Sequence, residues 1–164
     1  MKKIFLLFVV SMMGACTNAQ NSSDAYYKMV NGLLSHSVPE ITVDSLKKMD
    51  SSVILLDARE TNEFKVSSIK GAKYVGYDNF SMSSVNNIPK DVKIVVYCSV
   101  GYRSEKITEK LIKAGYHNVS NLYGGIFDWV NKGNTVYCNN TETQRIHAYN
   151  RVWGQWLKKG EKVY

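Results

Sequence analysis

The segment Cys98-Ser99-Val100-Gly101-Tyr102-Arg103 brings together a nucleophile, a glycine that allows a tight turn, and a guanidinium fork suited to an incoming anion. It follows the apolar run Ile94-Val95-Val96-Tyr97 and precedes a stretch with helical spacing. A thiol between the end of a buried strand and the start of a helix faces unpaired backbone N–H groups and the positive end of a helix dipole, which favour the thiolate. The same donors stabilise a persulfide, whose outer sulfur is anionic, without a metal, cofactor or histidine partner. The reaction this predicts is a double displacement. The Cys98 thiolate attacks the outer sulfur of a small anionic donor, and a thiol or cyanide then removes that sulfur. With thiosulfate as donor, sulfite leaves first.

The remaining cysteines, Cys16 and Cys138, lack the close spacing of a zinc site or a dithiol redox pair, so no metal is expected. Cys138 can be a free thiol, a resolving thiol for Cys98, or its disulfide partner in a stable, non-catalytic binding domain. Asp57 and Arg59, at the exit of a predicted strand, are read first as a loop-fixing pair and second as substrate contacts. Gly124 and Gly125 allow a turn beside the Cys98 loop. Phe127 and Trp129 are read as core, and His147 as structural.

Several elements must position this loop. Val53 to Asp57 and Ile94 to Cys98 are continuous apolar runs of strand length, the pattern of strands covered on both faces in a parallel sheet. Val38 to Ile41 and Val119 to Leu122 are further short strands. Helices are expected from Asp44, as cap, to about Met49, from Ser104 to Ala114 with Ile107, Leu111 and Ile112 inward and Gly115 as the stop, and from Gly125 to Val130. Tyr26, Tyr27, Val30, Leu33 and Leu34 mark an earlier amphipathic helix. The alternation predicts an α/β domain with a mainly parallel sheet and right-handed crossovers.

The ordered motifs Ile54-Leu55-Leu56-Asp57-Ala58-Arg59-Glu60, Glu63-Phe64, Ile69-Lys70-Gly71-Ala72, Cys98 to Arg103, and Leu122-Tyr123-Gly124-Gly125-Ile126-Phe127-Asp128-Trp129 resemble the successive signatures of a rhodanese domain. The resemblance implies a three-layer fold with a central five-stranded, mainly parallel sheet flanked by helices. It also implies sulfurtransferase activity and a catalytic cysteine at Cys98, with residues 99–103 forming the substrate-binding loop. Two departures stand out. Ser68 occupies a place where the family often has histidine, and the loop matches neither of the familiar sequences of the tandem-domain enzymes, which leaves the donor open. Phosphatases of this fold use Cys-x5-Arg, whereas the spacing here is Cys-x4-Arg, a tighter ring that favours one sulfur atom over a phosphate. An envelope persulfide carrier or sensor serving a protein acceptor is the alternative activity.

The N-terminus reads as an address. Lys2-Lys3, the apolar stretch Ile4 to Val10 and Gly14-Ala15-Cys16 resemble a bacterial lipoprotein signal, with cleavage before Cys16 and acylation of its thiol. The expected organisation is a signal peptide over 1–15, a lipidated tether and short helix over 16–35, a rhodanese-like domain over 36–133, and a basic, aromatic extension over 134–164. That extension is expected to pack on the domain as a helix or an arm, with a membrane-surface role as the alternative. Thr17, in place of aspartate, favours the outer membrane, so the protein is expected in the cell envelope, facing the periplasm or the surface. The chain has 164 residues and a net charge of +7, nearer +5 without Lys2 and Lys3. It carries no dense basic stripe for nucleic acid.

Overall fold

The continuous apolar runs become the middle of a wholly parallel sheet. A computed structural model describes residues 23–164, and the expectations placed on the signal, Cys16 and most of the tether lie outside the described residues. Five strands, β1 (Glu40–Ile41), β2 (Ile54–Asp57), β3 (Lys73–Tyr74), β4 (Ile94–Tyr97) and β5 (Val119–Leu122), lie in the order β1-β5-β4-β2-β3. All four pairings are parallel, as expected for the α/β class. Every residue of β4, the central strand, is buried, because elements cover it on both faces.

Four short helices alternate with these strands: α2 (Val43–Leu46), α3 (Thr61–Val66), α4 (Tyr102–Lys113) and α5 (Gly125–Asn131). α4 packs on β4 and β5, and Ile107 and Leu111 join Leu56, Ile94, Val96 and Val119 in one buried apolar cluster. Before them, α1 covers residues 23–33, where the Tyr26 and Tyr27 rings lie 5.8 Å apart. α1 belongs to a separate compact unit, and the sheet and its helices to the other.

Local chemistry moved three expected boundaries. Thr42, not Asp44, caps α2, because its hydroxyl reaches the Ser45 N–H at 3.2 Å, three residues on. Asp44 instead pairs with Lys132 at 2.6 Å, and α2 ends at Leu46 rather than near Met49. α4 begins two residues earlier than Ser104, since Gly101 at φ +117° starts it without a side-chain cap. Ile112, expected inward, is 40% exposed.

The segment after residue 133 is neither one helix nor a plain arm. An antiparallel hairpin joins β6 (Val136–Cys138) to β7 (Thr141–Thr143). Asn139 and Asn140 both have positive φ, +47° and +65°, as a two-residue hairpin turn of the primed kind requires. Then β8 (Arg145–His147), one helical turn α6 (Arg151–Gly154) and β9 (Glu161–Val163) follow, with β8 and β9 pairing in parallel. This segment fastens along α3. Ser68 and Tyr137 exchange two backbone hydrogen bonds of 2.8 Å, and Ser67 donates its hydroxyl to Arg145 O at 2.7 Å. The backbone of Ser68, at the place of the family's histidine, is thus occupied in holding the hairpin. Among the described residues, no helix is long and apolar enough to cross a membrane.

Candidate active site

Cys98 is the first residue beyond the carboxyl end of β4, and Asp57 of β2 stands in register with Tyr97 beside it. The loop from Cys98 ends at Gly101, the residue before α4, so the thiol lies where strand and helix meet. Cys98 is buried, and its Sγ accepts the Gly101 N–H at 3.2 Å. Tyr102, Arg103 and Ser104 open the helix, so their amides have no earlier turn to bond and are available to an anion.

The direction of those amides follows from where the loop carbonyls go. Cys98 O accepts the Ile126 N–H at 2.9 Å and Ser99 O the Phe127 N–H at 3.0 Å, both from the first turn of α5. Gly125 makes this approach practicable. A Cβ there would stand 2.4 Å from Cys98 O and 2.7 Å from Ser99 O, and its φ of +57° suits glycine besides. Gly101 O is held by the Asn121 amide at 3.0 Å, and the single Ser104 hydroxyl hydrogen is shared between Asn121 Oδ1 at 2.7 Å and Gly101 O at 3.1 Å. In each trans peptide the N–H points opposite the C=O, so carbonyls drawn toward α5 and β5 turn the following N–H groups away from those elements, and the Gly101 N–H reaches the Cys98 Sγ.

Arg103 departs from expectation. The fork read as facing an incoming anion is engaged by Glu63 of α3, at 2.6 Å and 2.8 Å, and Nη2 also donates to Ser99 Oγ at 3.0 Å. Glu63 further accepts the Ser99 hydroxyl at 3.0 Å and, as the inner half of a capping box, the Glu60 N–H at 3.0 Å. Burial alone would raise the Glu63 pKa, but the Arg103 hydrogen bonds and charge, the Glu60 amide and the Arg59 charge together lower it. Burial likewise disfavours the Arg103 cation. Its hydrogen bonds to Glu63 and the charges of Cys98, Glu63 and Tyr149 more than offset this, and its pKa is raised.

Asp57 and Arg59 are completely buried and paired at 2.6 Å. Arg59 also donates to Ser67 O at 2.6 Å, so the pair ties the end of β2 to the end of α3 and thereby sets where Glu63 stands. Of the two readings of this pair, the geometry matches the loop-fixing one. Cys138 and Cys98 are both free thiols. Cys138 is half-buried and lies 3.4 Å from Lys65 O, with no bond to Cys98. Phe127 is buried, whereas Trp129 is half-buried and donates its indole N–H to Thr135 O at 2.9 Å. Among the described residues, no group of three or more His, Cys, Asp or Glu side chains is placed to hold a metal ion.

Sequence reasoning assigned no role to Glu63, Ser104, Asn121 or Tyr149. Glu63 carried two usable signals, its place in the Glu63-Phe64 motif and its position three residues after Glu60 at a helix start. The others depend on contacts between distant parts of the chain. Tyr149 brings its ring to 5.2 Å from the Arg103 guanidinium. His147, read as structural, is buried, and its pKa is lowered by burial foremost; Glu63 acts against this shift, and the Arg59 and Arg103 charges add to it.

The rhodanese-like domain family model matches residues 42–132. The tRNA uridine(34) hydroxylase of Bdellovibrio bacteriovorus is 29% identical over 101 residues, covering 59% of this chain and 29% of that protein. The adenylyltransferase and sulfurtransferase UBA4 of Meyerozyma guilliermondii is 32% identical over 104 residues, covering 59% of this chain and 24% of that protein. The chain therefore spans under a third of the length of these two relatives. The crystal structure of a rhodanese-like domain protein from Staphylococcus aureus is 28% identical with a TM-score of 0.52, covering 58% of this chain and 94% of that one. With its five-stranded parallel sheet and a family match over more than half its length, this chain belongs to the rhodanese-like domain family.

Proposed function

We propose that this protein is a sulfurtransferase that moves sulfane sulfur through a persulfide on Cys98. The carrying observation is the Sγ of Cys98, hydrogen-bonded to the Gly101 N–H at 3.2 Å at the joint of β4 and α4. In the first step the Cys98 thiolate bonds to the outer sulfur of thiosulfate and the S–S bond breaks, so that sulfite leaves with the bonding electron pair. In the second, cyanide or a thiolate attacks the outer persulfide sulfur, and Cys98 departs as thiolate with thiocyanate or a new persulfide as product. The loop amides hold the anion that both steps require. Purified protein is expected to release sulfite from thiosulfate, and Cys98→Ser to abolish release; activity surviving that substitution would refute the assignment.

A second reading, a persulfide carrier that delivers sulfur to a protein acceptor, draws support from Arg103. Both its terminal nitrogens already bond Glu63, which weakens its pull on a free dianion. A carrier would show slow turnover with cyanide, while mass spectrometry would still find one added sulfur on Cys98. We also place the protein in the bacterial envelope, preferably the outer membrane, through a lipid on Cys16. Membrane fractionation tests this, since Cys16→Ser should then release the chain from the membrane pellet.

A further inference from the structure

We propose that Tyr149, which lies beyond the family domain, is a positioning residue that sets the charge preference of the Cys98 site by covering Arg103. The proposal rests on Cys98 being the reacting group. Tyr149 sits at φ +64°, a left-handed conformation that a bulky side chain adopts only when something holds it. Its N–H donates to His147 Nδ1 at 3.0 Å. The other imidazole nitrogen, Nε2, lies 3.3 Å from the Asn62 side-chain amide on α3. His147 itself is secured where β8 pairs with β9, opposite Val163. The ring is therefore mounted on the same helix that carries Glu63.

The mounting places the Tyr149 ring 5.2 Å from the guanidinium carbon of Arg103, while Glu63 takes both terminal nitrogens on the edge. Arg103 is thus neutralised along its rim and shielded on one face. A dianion approaching Cys98 meets a screened cation, and a neutral or less charged sulfur compound loses less by comparison. Tyr149 as a residue is 48% exposed, so it stands at the surface while lying against a half-buried charge. The substrate class this selects is the persulfide of a small thiol, in preference to thiosulfate.

Alkylation of Cys98 tests this without depending on sulfur transfer. The full chain is treated with iodoacetate, an anion, or iodoacetamide, its neutral counterpart, and the Cys98 peptide is followed by mass spectrometry. In each case an S–C bond forms as iodide leaves, so the two rates differ through the reagent's charge. Tyr149→Asn, which tolerates a left-handed backbone but lacks the ring, is expected to raise the iodoacetate-to-iodoacetamide ratio roughly threefold, the scale of one exposed cation–π contact. The gain should shrink at high salt. Tyr149→Phe keeps the ring and should keep the wild-type ratio. An unchanged or lowered ratio in Tyr149→Asn, an equal shift in Tyr149→Phe, or no reaction at Cys98 with either reagent in any of the three proteins would overturn the proposal. Failure of the sulfurtransferase reading would appear separately, in the sulfite assay.

Discussion

Gly125 occupies a position with no room for a side chain, and the reason is chemical as well as steric. The space a Cβ would fill belongs to the Cys98 and Ser99 carbonyls, which must reach the amides of Ile126 and Phe127. Gly125→Ala would add both a clash and a strained φ, at a cost of about 2–3 kcal/mol in urea unfolding. It should also reduce Cys98 sulfur loading, because the loop carbonyls would be pushed toward the thiol. An unchanged unfolding midpoint would show that the close approach does not exist in solution. At this scale the sequence was informative wherever chemistry was local. The thiol, the turn glycines and the buried strand residues could all be read from neighbours in the chain. Glu63 and Arg103, forty positions apart, could be seen to meet only once β2 and β4 were laid side by side.

Among elements, the contact that matters most is the one between α3 and α4. These helices come from different crossovers, and the Glu63 carboxylate ties them together through Arg103 and Ser99. The folded protein holds Glu63 below the ordinary glutamate value of 4.5. The unfolded chain therefore takes up the proton first as the pH falls through that value, and stability is lost in that window while remaining complete above it. Glu63→Gln removes this dependence and leaves Arg103 without its counter-charge, at a cost of about 2–3 kcal/mol near neutral pH. Unfolding midpoints collected from neutral to acid pH would check both parts; a variant whose acid profile matched the wild type would contradict the assignment. Element types were readable because the apolar periodicities are strong. Boundaries were less so, since Gly101 can start α4 without a capping side chain and Thr42 competes with Asp44 for α2. The hairpin of β6 and β7 had a signal in Asn139-Asn140, which the mixed polar and apolar residues around it obscured.

For the molecule as a whole, the residues after 133 do more than extend the domain. Ile146, Ala148 and Leu157 are buried, and the segment lies along α3 next to the site. Its attachment carries its own pH dependence. Burial first, with Arg59 and Arg103 adding to it and Glu63 opposing, holds the His147 pKa below its ordinary value of 6.5. Stability from keeping this imidazole neutral is complete above that value and falls away as the pH drops below it, because the unfolded chain binds the proton more readily. The amide of Ala148, bonded to Val163 O at 2.8 Å, should exchange with solvent faster on mild acidification, and His147→Gln should suppress that change. An exchange rate indifferent to pH across this range, after correction for intrinsic chemistry, would count against it. Packing of this segment on the domain was an expectation of the sequence, but the pairing of β8 with β9 was not, since each is three residues long and a helical turn lies between them.

The anchoring of Cys98 O and Ser99 O on α5, and of Gly101 O on Asn121, has a mechanical consequence. A cradle bolted at three points is a stationary fitting, so in the proposed sulfur transfer the motion of each turnover would fall to the arriving and departing sulfur compounds. Thickening the solvent with glycerol should then slow their diffusion while leaving the single-turnover step at the thiol at its original speed.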